Sequence, residues 1–311
     1  MINRRSLLKS FGILTGGTMV LKYSPLFAAG SNLNGIKELT NPLIDTPGMS
    51  DPHALVENDI CYLYTGHDVG FGIPDWVMPD WRIYRSSDLL SWERVGTISP
   101  EDNYMGKGNT SCWAGDIVKR NGKYFWYFSN RKESTGVMVA SQPEGPFTDA
   151  LGKPLVDSFD PSIFVDEDDT PYIIYGEHTY KIARLKDSMI ELDEEPKDIV
   201  IDRTSFFPDT DKNSLHKHNG IYYLSCSGYY ATSDNIYGPY VTLGLVGKGF
   251  GLDTGYAHGD YLTWKGDWYH VWCRYRDRSK DRIRDSFIAP VHYDKNGLMH
   301  DDLSHIDTRY R

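Results

Sequence analysis

Five short stretches of this sequence place carboxylates where acid–base chemistry could use them. Asp51 stands in Asp51-Pro52-His53-Ala54-Leu55 and Asp160 in Phe159-Asp160-Pro161-Ser162-Ile163, each just ahead of a short apolar run. Asp116 lies in Trp113-Ala114-Gly115-Asp116-Ile117, Asp211 in Asp209-Thr210-Asp211-Lys212-Asn213, and Asp260 two residues after His258. Cleaving a glycosidic bond asks for such a set, because one carboxylate must activate water while a second group protonates the leaving oxygen. A lone Asp-Pro is an ordinary turn cap. The same dipeptide at the same place before two strands points instead to a shared site. In both, proline fixes its own φ and biases the preceding Asp away from the α region.

Residues so far apart in sequence can act together only if repeated elements carry them to one place. Five segments share one form, a polar or Gly turn followed by an aromatic-rich strand. They begin at Asn58-Asp59, Asn121-Gly122, Asp168-Asp169, Asn219-Gly220 and Lys265-Gly266. They recur at intervals of roughly 45 to 62 residues, the scale of propeller blades. Asn-Gly and Lys-Gly between apolar runs are hairpin signals. A strand-like run precedes each turn, and a third run follows in three units, at residues 81–87, 136–141 and 229–233. Gly145-Pro146-Phe147 and Gly238-Pro239-Tyr240 repeat one turn. Helical periodicity is scarce. The expectation is an all-β, five-bladed β-propeller, with a two-sheet sandwich as the competing reading. In a propeller the start of each blade's inner strand faces one axial funnel, which is where these carboxylates fall.

Composition fits that fold. The chain has 311 residues with 40% hydrophobic, 24% charged and 14% aromatic, which excludes a disordered or collagen-like chain. A formal net charge of −10 without a basic stripe speaks against nucleic acid as a partner. The 22 Tyr and 8 Trp suit β-rich cores and sugar platforms alike. Residues 1–29 read as an export signal: Arg4-Arg5 with Leu7-Leu8-Lys9, an apolar stretch, then Phe27-Ala28-Ala29. The arginine pair resembles a twin-arginine signal. Residues 30–311 are then a single propeller, periplasmic or secreted, and no later stretch reaches the ~18 apolar residues of a membrane span. Cys61, Cys112, Cys226 and Cys273 match no zinc spacing; buried free thiols are expected, with one bridge as the alternative.

In combination these segments resemble glycoside hydrolase family 43 over nearly all of residues 40–300. The carrying motifs are Asp51-Pro52-His53-Ala54, Thr65-Gly66-His67-Asp68, Asp80-Trp81-Arg82, Trp113-Ala114-Gly115-Asp116, Phe159-Asp160-Pro161-Ser162 and Tyr230-Ala231-Thr232-Ser233-Asp234. The resemblance implies an inverting glycosidase, often a β-xylosidase or α-L-arabinofuranosidase. Asp51 would be its general base and Asp160 the residue that tunes and orients the acid. The family's acid is a Glu some six residues ahead of the fourth-blade Lys. Counting back from Lys217 lands on Asp211, one methylene shorter. Three readings stay open: Asp211 as the acid, His216 or His218 in its place, or a sugar-binding propeller without a working acid. The histidine reading is similar to clan relative family 117, which acts on 3,6-anhydro-L-galactose of agar oligosaccharides. Glu177 follows the third blade's second strand and is expected away from the axis.

The resemblance also places an oligosaccharide in the pocket. His53, Trp81, Trp113 and Asp116 are candidate substrate contacts, Trp81 with a core role as the even alternative. Phe71, Trp76 and Trp92 read as packing or rim. Arg274 and Arg276, with Arg278, form a basic cluster that is either a solvated strand face or a clamp for an anionic sugar. His258 matches a fifth-blade His, and is either the candidate metal ligand, for Ca2+ in the central channel, or a hydrogen-bonded channel histidine without metal. No cofactor is required for the expected chemistry.

Overall fold

A computed structural model describes residues 39–204, 206–207, 211, 213–246 and 258–305. The export signal read at residues 1–29 therefore lies outside the described residues.

Five sheets, antiparallel except for one two-residue strand, follow one another along the chain. Blade 1 holds β1 (Met49–Glu57), β2 (Ile60–His67), β3 (Trp81–Ser86) and β4 (Glu93–Ile98). Blade 2 holds β5 (Cys112–Arg120), β6 (Lys123–Asn130), β7 (Ser134–Ala140) and β8 (Thr148–Asp149). Blade 3 holds β9 (Ser162–Val165), β10 (Pro171–Tyr175), β11 (Lys181–Arg184) and β12 (Lys197–Asp198). In blade 4, β13 (Ile201–Asp202) runs parallel to the outer strand, beside β14 (Asn213–His218), β15 (Ile221–Cys226), β16 (Tyr229–Ser233) and β17 (Tyr240–Leu245). Blade 5 holds β18 (Gly259–Trp264), β19 (Asp267–Tyr275), β20 (Arg284–Tyr293) and β21 (Met299–Asp301). The first strands form a ring: β1 meets β5, β5 meets β9, β9 meets β14, β14 meets β18, and β18 returns to β1. This is the five-bladed propeller expected from the repeats.

Turn chemistry explains the regular hairpins. Glu57 pairs with Ile60, Arg120 with Lys123, His218 with Ile221 and Trp264 with Asp267, each across a two-residue loop. All four loops have positive φ at both positions, for instance Asn121 at 51° and Gly122 at 72°. That conformation matches the right-handed twist of the flanking strands, and Asn and Gly adopt it at low cost. Blade 3 instead crosses residues 166–170, where Asp166 N donates to Thr170 O at 2.9 Å.

Each blade interface has its own core. Tyr64, Trp81, Trp126, Phe128 and Phe147 pack between blades 1 and 2. Tyr127, Val137, Ile173 and Ala183 lie between blades 2 and 3, and Ile174, Ile182, Leu224 and Tyr240 between 3 and 4. Tyr223, Tyr230, Tyr261 and Val291 join blades 4 and 5, while Leu63, Leu262, Val271 and Ile288 join 5 to 1. A strand such as β6, buried along six consecutive residues, therefore reads as a run of five aromatics, Tyr124 to Phe128, rather than an alternation. All four cysteines are buried free thiols.

Candidate active site

A cavity of about 400 Å³ opens where the inner strands begin, within the range of roughly 300–1,000 Å³ usual for small-ligand sites. Asp51, Trp113, Ala114, Asp160, Asp211 and Arg284 are among its walls. Its remaining lining residues include Trp76, Lys132, Glu177, His178, Tyr275 and Arg278.

Local backbone aims the two Asp-Pro carboxylates. Asp51 has φ 45° and Asp160 has φ 52°. Both are in the left-handed region rather than the extended one that the following proline favours. Asp tolerates this better than most residues, at a cost of about 1–3 kcal/mol that the surrounding structure must hold in place. At Asp51 the pairing of β1 with β2 slips between Ser50 and His53. At Asp160, three blades supply the holding contacts. Its N–H donates to Ser129 Oγ at 2.8 Å, its carbonyl accepts from Asn213 Nδ2 at 2.9 Å, and its Oδ2 lies 3.6 Å from His258 Nδ1.

Asp51 sits in an ion-paired cradle. Arg284 Nη1 donates to Asp51 Oδ1 at 2.6 Å, and Cys273 Sγ approaches the same oxygen at 3.5 Å. Burial pushes the Cys273 thiol well above its usual range, so it stays a donor. Arg284 also binds Asp68 through Nε and Nη2, both at 3.0 Å. Burial raises the Asp68 carboxyl to about 6, against the pull of Arg284 and with a further push from Asp51. Neither Arg284 nor Asp68 was singled out as a functional residue by sequence reasoning. The available signal was weak: Asp68 follows His67 in a family motif, and Arg284 starts the long strand β20.

Several expected contacts are placed elsewhere. Trp81 is fully buried, donates from Nε1 to Trp113 O at 2.7 Å and packs on Trp126 and Phe128. It is core, and only its neighbour Trp113 reaches the cavity. Trp113 packs edge-on against Trp76, which lines the wall rather than the rim. Arg274 and Arg276 are absent from the lining; Arg276 pairs with Asp285 at 3.3 Å. Arg278 is the member of that cluster facing the cavity, with its guanidinium 5.1 Å from the Tyr275 ring centre. Glu177, expected away from the axis, faces the cavity and meets Lys132 Nζ at 2.8 and 2.7 Å. It does so because the chain turns at Gly176, whose N–H donates to Phe159 O at 2.8 Å.

The two alternative histidines lie outside this cavity. His216 is buried among Tyr223, Tyr261 and Trp268, and its Nε2 lies 2.7 Å from Tyr293 Oη. It borders a separate cavity of about 340 Å³, further along the inner strands, together with Asp116, Asp260 and Lys217. Burial lowers its pKa to about 3, so it carries no proton to give near neutral pH. His218 stacks on Tyr293 with ring centres 3.8 Å apart. Asp211 lines the first cavity, and its carbonyl accepts from Tyr180 Oη and Cys226 Sγ, both at 3.2 Å.

Deeper in the channel, His53 stands between two carboxylates. Its Nδ1 is 3.2 Å from Asp116 Oδ1 and 4.0 Å from Asp260 Oδ2. Burial works to lower the His53 pKa, but Asp116, then Asp260 and Asp51, outweigh it and raise it. Ligand atoms of His53, Asp116 and Asp260 all lie within 4.8 Å of one another. Yet the carboxylate oxygens already accept backbone N–H groups of Ile117, Ile163, Tyr261 and Ala54. A proton on His53 would offset one of the two carboxylate charges, so these atoms read as an ion-pair network that ties blade 1 to blades 2 and 5 and, through the Ile163 N–H, to blade 3. His258 lies beside it, 4.9 Å from the His53 ring centre.

Known proteins share this architecture. The family described as Glycosyl hydrolases family 43 matches residues 39–299. The xylosidase/arabinosidase of Bacteroides ovatus is 28% identical over 310 residues, covering 81% of this chain and 94% of that protein. The arabinoxylan arabinofuranohydrolase of Paenibacillus polymyxa is 29% identical over 306 residues; the match covers 79% of this chain and 48% of that longer relative. A family 43 enzyme from Xanthomonas citri, solved with xylose, aligns with a TM-score of 0.73 at 24% identity, over 84% of this chain and 92% of the other. That last likeness speaks to the fold.

Proposed function

Because the chain belongs to the glycosyl hydrolases of family 43 and is a β-xylosidase- or α-L-arabinofuranosidase-like glycosidase, we propose that it releases terminal sugars from plant or algal oligosaccharides with inversion. The observation that carries this reading is the convergence of Asp51, Asp160 and Asp211 on one cavity beside Trp113. Asp51 takes a proton from the water that attacks the anomeric carbon. Asp211 protonates the leaving oxygen, and Asp160 holds that acid's proton in place. In an inverting site the base and acid stand about 6.5–9.5 Å apart, leaving room for the water. The indole of Trp113 offers an apolar face to the sugar. Glu177 is a wall residue in this reading, since both of its carboxylate oxygens are engaged by Lys132 Nζ.

The reaction as written needs no cofactor. Calcium in the channel belongs to this proposal through His258, whose imidazole beside Asp160 would be the protein's share of a shell otherwise filled by water. Such an ion would add positive charge near Asp160. Export to the periplasm or medium also belongs to it, on the twin-arginine-like start of the chain.

A panel of aryl and natural glycosides tests the assignment, with wild type run with and without a chelator. It spans β-xylosides, α-L-arabinofuranosides, galactosides and neoagarobiose. Asp51→Asn is expected to lose at least a thousandfold on all cleaved substrates, whereas Asp211→Asn should spare activated aryl glycosides, whose leaving groups need little acid help. Equal loss on both substrate types would remove Asp211 as acid. A wild type that binds oligosaccharide and cleaves nothing would leave a binding propeller.

A further inference from the structure

The guanidinium of Arg284 meets two buried carboxylates unequally. Asp51, Asp68 and Arg284 are exposed by 4%, 2% and 5%. Nε and Nη2, the side-on fork of the guanidinium, both go to Asp68, at 3.0 Å each. The backbone N–H of Arg284 also donates to Asp68 Oδ2 at 3.0 Å. Ser50 Oγ donates to Asp68 Oδ1 at 3.2 Å, and Asp68 N–H donates to Gly48 O at 2.8 Å. Asp68 is thus anchored from β1 and β20 together. Asp51 receives a single N–H of the guanidinium, from Nη1 to Oδ1.

An arginine beside a lone carboxylate favours the two-pronged arrangement, because two parallel N–H···O bonds are stronger than one. Here the fork is already engaged. We propose that Asp68 is a positioning residue: by occupying the fork of Arg284 it makes that guanidinium hold Asp51 through one oxygen, and so fixes the orientation in which the Asp51 carboxylate works. Without Asp68, Arg284 would swing to grip Asp51 through both oxygens and turn it from the attacking water. Small displacements of this kind cost rate far more than affinity, since substrate binding does not depend on the base. The proposal rests on Asp51 acting as the base.

Asp68→Asn keeps the shape but puts an amide N–H₂ where one fork acceptor stood. On the best substrate of the panel, kcat is expected to fall about tenfold to a hundredfold, with KM moving less than threefold. Placed on Asp51→Asn, the same change should cost less than twofold, because a residue that acts only through Asp51 has nothing left to act on. Should Asp68→Asn fail to fold by circular dichroism, Ser50→Ala is the milder probe. It removes one contact to Asp68 and should lower kcat two- to fivefold, again with no further loss on Asp51→Asn. A folded Asp68→Asn or Ser50→Ala with unchanged kcat overturns the proposal. So does a loss confined to KM, or one that adds in full to that of Asp51→Asn. If Asp51→Asn alone keeps wild-type activity, the base assignment itself falls, and that result is separate from the other three.

Discussion

His216 shows how burial settles a residue's chemistry. It is enclosed by four aromatic rings and lies against Tyr293 Oη, and burial lowers its pKa to about 3, with His218 and His270 adding to the shift. An unfolded histidine titrates near 6.5. As pH falls below that value the unfolded chain binds a proton that the folded chain refuses until about 3. Stability present above pH ~6.5 is therefore lost on acidification, at about 1.4 kcal/mol per unit, or roughly 3 kcal/mol by pH 4. His216→Gln should lose correspondingly less between pH 7 and pH 4 in urea unfolding, and its kcat at pH 7 should stay within twofold of wild type. The same stability loss in both proteins would count against this account, and a hundredfold loss of kcat would return His216 to the list of acids.

At the scale of elements, two glycines test what shapes the cavity wall. Gly115 sits where the pairing of β5 with β6 slips between Trp113 and Gly115, the irregularity that turns Trp113 and Ala114 toward the cavity. A Cβ there would meet Tyr127 O at 2.3 Å and the Trp126 ring at 2.5 Å. Gly122, in the hairpin at the far end of β5 from the wall residues Trp113 and Ala114, has φ 72° and nothing within 4 Å of a Cβ. Gly122→Ala should cost about 1 kcal/mol from backbone conformation alone and leave kcat unchanged. Gly115→Ala should cost about 3 kcal/mol or more and reduce activity as well, because the β5 backbone must move. Thermal melts with kinetics on both variants read this directly, and a harmless Gly115→Ala would show that the slip does not shape the wall.

For the whole molecule, the seam between first and last blades decides whether the ring holds. Asn41 behaves there like one more strand residue: Nδ2 donates to Ile288 O at 3.0 Å and Oδ1 accepts from Ile288 N at 2.8 Å. Leu43 N donates to Ser286 O at 2.8 Å, and Ser286 Oγ to Met49 O at 2.7 Å. Asn41→Ala forfeits two partly buried hydrogen bonds, about 2 kcal/mol, and should lower Tm by roughly 4–8 °C with KM intact. An unshifted Tm would mean that the apolar core of Leu63, Val271 and Ile288 closes the ring unaided.

Much of this molecule was legible in its sequence because its information is local. Two-residue turns with Asn, Asp or Gly, each followed by an aromatic run, give the hairpins and the blade count, and Asp51 and Asp160 stand out as a repeated dipeptide. The third strands of blades 3 and 5 were not legible: β11 is four residues long, and β20 carries Pro290 in a paired central position. The outer strands β8 and β12 are two residues each, held by neighbours rather than by their own pattern. What belonged to tertiary structure alone was the company each side chain keeps. Trp81 and Trp113 look alike in sequence, yet one is sealed between blades and the other faces the cavity. Glu177 reaches the pocket through a turn at Gly176, and Arg284 finds Asp51 from 233 residues away. The first two depend on how adjacent blades pack, and the last on ring closure, which joins the two ends of the propeller; neither leaves a trace in the spacing of residues along the chain.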